Sequence, residues 1–92
     1  MIIEFDPAKN AKNIAERSLS FDRVIDFDFE TAVYVIDDRH DYGEIRRIAA
    51  GYLDGRLHIL CFAFISGGIR VISFRKANNR EARRYDKQIT ND

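Results

Sequence analysis

The sequence predicts one α+β domain spanning residues 1–92: an N-terminal strand and two short helices, a roughly four-stranded antiparallel meander, then a C-terminal helix. Three observations predict it. Asp6-Pro7 and Ser20 each open a helical stretch in the first third of the chain. Four strand-like stretches follow with only short connections between them, among them Asp54-Gly55 and Ser66-Gly67-Gly68. The last segment, from Asn79, puts Ala82, Tyr85 and Ile89 at helical spacing.

Taken in order, Ile2 to Phe5 is a brief apolar strand. Asp6 caps a helix whose first residue is Pro7, where a missing N–H costs nothing. This helix runs to Arg17, with Ile14 as its main apolar contact and Lys9 and Lys12 on the solvated side. Ser18-Leu19-Ser20 interrupts it, and Ser20 caps a second short helix carrying Phe21, Val24 and Ile25. Thr31 to Ile36 is β-branched and aromatic, hence a strand, and Asp37 to Gly43 is a polar loop. Glu44 to Leu53 alternates weakly, with Gly51 marking a bulge or a close backbone approach. Asp54-Gly55 tolerates the positive φ of a type I′ hairpin. Leu57 to Ile65 is apolar on both faces and should be the doubly covered central strand. In the strand from Ile69, regular alternation sends Arg70, Ile72 and Phe74 one way and Ile69, Val71, Ser73 and Arg75 the other.

Composition narrows the classes. The chain is 46% hydrophobic, enough for one core, yet has no run of about 18 apolar residues to span a membrane. Glu4 and Asp6 stand where a signal peptide would be apolar. The single cysteine, Cys61, excludes an internal disulfide and sits in an apolar run that blunts its reactivity. A cytoplasmic protein is expected, without metal or cofactor. The net charge of zero hides an asymmetry. Residues 70–87 hold seven basic side chains against two acidic, or +5; residues 22–44 hold eight acids against two arginines, or −6. The basic segment suits a polyanion, particularly as it is rich in arginine; the alternative is that the two segments pair with each other.

An ordered set of residues resembles the BrnT family of ribonuclease toxins. It comprises Phe5-Asp6 with Lys9, Asn10 and Asn13, then Ser20-Phe21, then Asp41-Tyr42-Gly43-Glu44 with Arg46. It continues through Gly51, the segment Arg70–Arg75, and Arg80-Glu81 with Tyr85. The chain departs from the family pattern in having Phe5 for Trp, Glu16-Arg17 for Lys-His, and Phe74 for Ala. The resemblance implies a RelE-like fold and a toxin of a type II toxin–antitoxin system that cleaves RNA without metal. It also implies a BrnA-type antitoxin partner, operator DNA bound only through that antitoxin, and a homodimer or heterotetramer. The alternative is a module that binds nucleic acid or antitoxin without catalysis, motivated by Glu16-Arg17.

Metal-free RNA cleavage needs a base, cations for the phosphorane, an acid for the leaving oxygen and a hold on the strand. Glu81 is the candidate base, with Arg46, Arg75 and Arg84 for the developing charge. Arg70, Lys76, Arg80, Arg83, Tyr85 and His40 are candidates for RNA binding. Each has a structural alternative. Asn78-x-x-Glu81 also fits a capping box, and Tyr85 fits a core position between Ala82 and Ile89. On a regular strand Arg70 and Arg75 point to opposite faces, so one would be a structural ion-pair partner. His40 lies in a polar loop, placed to serve as acid or base or to stand idle, and His58 should be a polar residue at a strand edge.

Overall fold

The computed structural model describes residues 1–90, with side chains to Gln88. Its elements are β1 (Ile2–Phe5), α1 (Pro7–Arg17), a 3₁₀ helix (Phe21–Asp26), β2 (Val33–Asp37), β3 (Arg46–Leu53), β4 (Arg56–Ile65), β5 (Gly68–Lys76) and α2 (Asn79–Thr90). The strands form one sheet in the order β1-β5-β4-β3-β2. β2 to β5 are the expected antiparallel meander, but β1 joins it parallel to β5, pairing Ile2 with Gly68 and Phe5 with Val71. The sheet is therefore five-stranded and mixed. The meander is legible because its strands follow one another in sequence, two of the three connections being tight turns; the β1 pairing spans more than sixty residues and has no local signature.

Local chemistry behaves as its residues dictate. The Asp6 carboxylate accepts the Ala8 N–H at 2.8 Å, and Pro7 begins α1. Ser20 caps the next helix by accepting the Asp22 N–H. Asp54 and Gly55 take φ of 52° and 73°, as a type I′ turn requires. At Gly51 a close approach is the explanation, since a Cβ there would lie 2.6 Å from Phe27 Cζ.

One face of the sheet carries the main core, where Leu60, Phe62, Ile69, Val71 and Phe74 meet Leu19, Phe21, Val24 and Phe27. Full burial of such side chains stabilises by about 1.5–3 kcal/mol each. Four expectations fail here. Ile14 is 46% exposed; α1 instead docks through Asn13, whose amide donates to Leu19 O and Phe74 O at 2.9 Å each. Ile25 is 57% exposed, because the second helix is 3₁₀ and its threefold spacing buries Phe21 and Val24 alone. His58 is not an edge residue: it is 3% exposed within β4, its Nδ1 2.7 Å from Arg56 O and its ring beside Phe74. β4 is doubly covered only in part, since Phe64 near its end is 64% exposed.

The fifth failure matters most for function. Cys61 pairs with Ser73 but Phe62 pairs with Val71, so Ile72 is an extra residue and β5 bulges. The bulge shifts the alternation by one. Phe74 thereby joins Val71 and Ile69 in the core, and Arg70, Ser73 and Arg75 share the opposite face, opposite Ala63, Cys61 and Ile59.

Candidate active site

α2 covers one end of that opposite face. Tyr85 is 3% exposed, packs with Leu57 and Ala77, stands edge-on to Tyr52, and donates its O–H to Thr31 O at 2.8 Å. It is thus a core anchor that also borders the groove beside it. Ala82 packs against the same cluster; the Ile89 side chain expected on this stripe lies outside the described residues. The helix starts with a capping box: Asn78 Oδ1 accepts the Glu81 N–H at 2.8 Å, and Glu81 Oε1 accepts the Asn78 N–H at 3.0 Å.

Glu81 does more than cap. Arg75 grips its carboxylate with both Nη atoms at 2.8 Å. This fork, helped by the Asn78 N–H and the nearby Arg84 charge and opposed by partial burial, pushes the Glu81 carboxyl down to about 2. Arg84 lies one turn on, exposed, and has no hydrogen-bond or ion-pair partner among the described residues.

Between α2 and β2 the face stays open as a groove. Its floor is apolar, made by Val33, Val35, Ile48, Ala50, Ile59 and Cys61, and burial pushes the Cys61 thiol up. Ser73, Arg75, Glu81, Arg84 and Gln88 border one side, and Arg39 borders it from the loop after β2. Beyond that loop lies a second group. Glu44 accepts from Arg70 and, at 3.4 Å, from Arg46, whose guanidinium sits 4.0 Å over the Tyr42 ring. The two arginines hold the Glu44 carboxyl below its ordinary value, Arg70 more than Arg46. Asp37, buried, accepts from Arg39 Nε and Nη2 at 2.7 and 2.8 Å and from the Tyr42 O–H at 3.2 Å.

Of the sequence-derived candidates, Arg75, Glu81, Arg84 and Tyr85 come together at the groove. Arg46 and Arg70 come together with Glu44, outside the groove lining. Lys76, Arg80 and Arg83 are exposed away from it, and exposed His40 stands edge-on to Tyr42. The acidic and basic segments pair at one point, Glu44 with Arg70, and Asp37 of the acidic segment is buried. Sequence reading gave no site role to Arg39 and Asp37, nor to Tyr42 and Glu44, which entered only through the family resemblance. The signal available was Asp37-x-Arg39, the spacing at which an aspartate also closes an Asx turn on the backbone two residues on. Among the described residues no group of three or more His, Cys, Asp or Glu converges as metal ligands would, and no helix is long and apolar enough to cross a membrane.

No curated protein matches the chain. A family model described as the ribonuclease toxin BrnT of type II toxin–antitoxin systems matches residues 5–81, from the end of β1 to the Glu81 cap, leaving Arg84 and Tyr85 just beyond it. With the match running through β2 to β5 and through the Asp37, Glu44 and Glu81 ion pairs with arginine, the chain belongs to the BrnT family of type II ribonuclease toxins.

Proposed function

We propose that the groove binds single-stranded RNA and cuts it without metal, with Glu81 as the base. The observation that carries this reading is the convergence of Arg75, Glu81 and Arg84 at one apolar-floored groove in a chain of this family. At rest Glu81 is ionised but weakly basic, because Arg75 holds it down to about 2. An RNA phosphate competes for the Arg75 fork, and a carboxylate released from it regains proton affinity. Glu81 then takes the 2′-hydroxyl proton, and the 2′-oxygen attacks the adjacent phosphorus. The P–O5′ bond breaks to leave a 2′,3′-cyclic phosphate, and the 5′-oxygen takes its proton from water in the open groove. Arg75 and Arg84 stabilise the phosphorane, such donors being worth on the order of 10²–10³ in rate. Tyr85 orients α2 rather than donating a proton, since its O–H is committed to Thr31. Arg46 and Arg70, with Arg80, Arg83, Lys76 and His40, steady the flanking strand by charge.

In this reading a BrnA-type antitoxin silences the toxin by covering the groove, operator DNA is bound through that antitoxin, and the pair assembles as a dimer or heterotetramer. A second reading has its own support. Both Glu81 oxygens are already used, by Asn78 and Arg75, as they would be in a binding module that had lost catalysis. Cleavage of RNA by purified wild type and Glu81→Gln, in chelator, separates the two. Cleavage by wild type alone is expected. Equal cleavage by both removes Glu81 as base, and RNA binding without cleavage by either favours the module.

A further inference from the structure

We propose that Arg39 grips a backbone phosphate of the RNA at the β2 side of the groove and that Asp37 is its positioning residue. The inference rests on the RNA-binding reading above and names a part of the site which that reading leaves unassigned.

Arg39 and Asp37 differ sharply in their surroundings. The Arg39 side chain is 69% exposed, whereas that of Asp37 is 1% exposed. A surface arginine of this exposure ordinarily samples many rotamers and gains little from an ion pair. Here one rotamer is fixed, because the buried carboxylate takes both Nε and Nη2 and also accepts the Arg39 backbone N–H at 3.3 Å. The Tyr42 O–H completes the carboxylate at 3.2 Å. Burying a carboxylate costs free energy unless it is fully bonded, and this one spends its bonds aiming a guanidinium. Asp37 takes two of that group's five side-chain donors, so the fork keeps others for an incoming oxygen.

What Arg39 is aimed at is the groove. Its side chain borders the same cleft as Arg75 and Arg84, with Val35, Ile48 and Cys61 between. These floor residues pair across the sheet, Val35 with Ile48 and Ile48 with Cys61, so the groove crosses the strands from β5 to β2. Three strand spacings separate those edges, about 14 Å, so the two cationic sides hold different phosphates of one strand. The apolar floor between them offers water no hydrogen bonds, which strengthens the charge-assisted bonds at both ends. The Tyr42 ring, which carries Arg46 on its face, ties this anchor to the Arg46–Glu44–Arg70 group beside it. The planar fork on a fixed stem matches two oxygens of a phosphodiester.

The test uses a single-stranded 2′-O-methyl RNA, which keeps the phosphates and cannot be cut through its 2′-oxygen, titrated against wild type, Arg39→Ala, Arg39→Lys and Asp37→Asn at several salt concentrations. For Arg39→Ala we expect binding weakened roughly tenfold and a salt slope reduced by about 0.7. On cleavable RNA, KM should rise by the same factor while kcat falls less than twofold. Arg39→Lys should keep the salt slope but not the full affinity, and Asp37→Asn should weaken binding while Arg39 is still present. A merely structural role for Asp37 would lower thermal stability and leave affinity and slope unchanged. Equal affinity and slope in wild type and Arg39→Ala overturn the inference whether or not RNA is cut. Wild type that binds and does not cut overturns the nuclease reading alone, and wild type that does not bind overturns both.

Discussion

On one face of the sheet Phe62 and Phe74 are 1% exposed against the 3₁₀ helix and its flanks, while on the other Val35 stands 54% exposed at the edge of a groove ringed by Arg39, Arg75 and Arg84. The same strands supply both faces. The closed face is held by apolar contact and by one buried amide, Asn13; the open face is held by α2 at one end and by ion pairs along its rim. The contrast teaches how a chain of this size divides its labour. Stability comes from the face with the continuous core, which leaves the other free to keep charges and apolar floor open to a ligand.

Substitutions should separate the faces, and the largest effect belongs to the closed one. Phe74→Ala should lose about 3–5 kcal/mol of unfolding free energy, read by denaturant titration, and a loss below 1 would deny that this face carries the core. Arg84→Ala on the open face should cost on the order of 10²–10³ in cleavage rate with an unchanged thermal midpoint; a fall in stability instead would make Arg84 structural. Asn13→Ala strips the donor from two buried carbonyls, and about 2–3 kcal/mol should go, seen as a lower denaturation midpoint with cleavage unaffected at low temperature. The Arg75–Glu81 pair should contribute about 1 kcal/mol with a definite pH dependence. Glu81 is depressed from 4.5 to about 2, so its contribution is full above pH 4.5 and fades as pH falls through about 2. The stability difference between wild type and Glu81→Gln should shrink over that window; a difference that grew with acid would reverse the assignment. Ile25→Ser, at an exposed position, should stay within about 0.5 kcal/mol of wild type, and a larger loss would show that the 3₁₀ helix buries more than its two inward residues.

Much of the open face was legible as residues but not as a place. Arg75, Glu81, Arg84 and Tyr85 are close in sequence, so a strand followed by a helix brings them near one another in any fold. Glu44 and Arg70 are 26 residues apart, and the registers of β3 on β4 and of β4 on β5 together decide that they meet. The inward residue of α1 was misread because an asparagine seldom serves as the buried contact of an amphipathic helix; the carbonyls it satisfies belong to other segments.

By itself the sequence determined what depends on a few adjacent residues: the Asp6-Pro7 start, the Ser20 and Asn78 caps, the Asp54-Gly55 turn and the meander they punctuate. These are local because each satisfies backbone groups one turn away. The tertiary structure alone decided the parallel docking of β1, the burial of His58 and the bulge at Ile72. A bulge is a mismatch between two strands, so neither strand carries it alone. That one inserted residue put Arg70 and Arg75 on the same face of the sheet, where a regular period of two would have parted them.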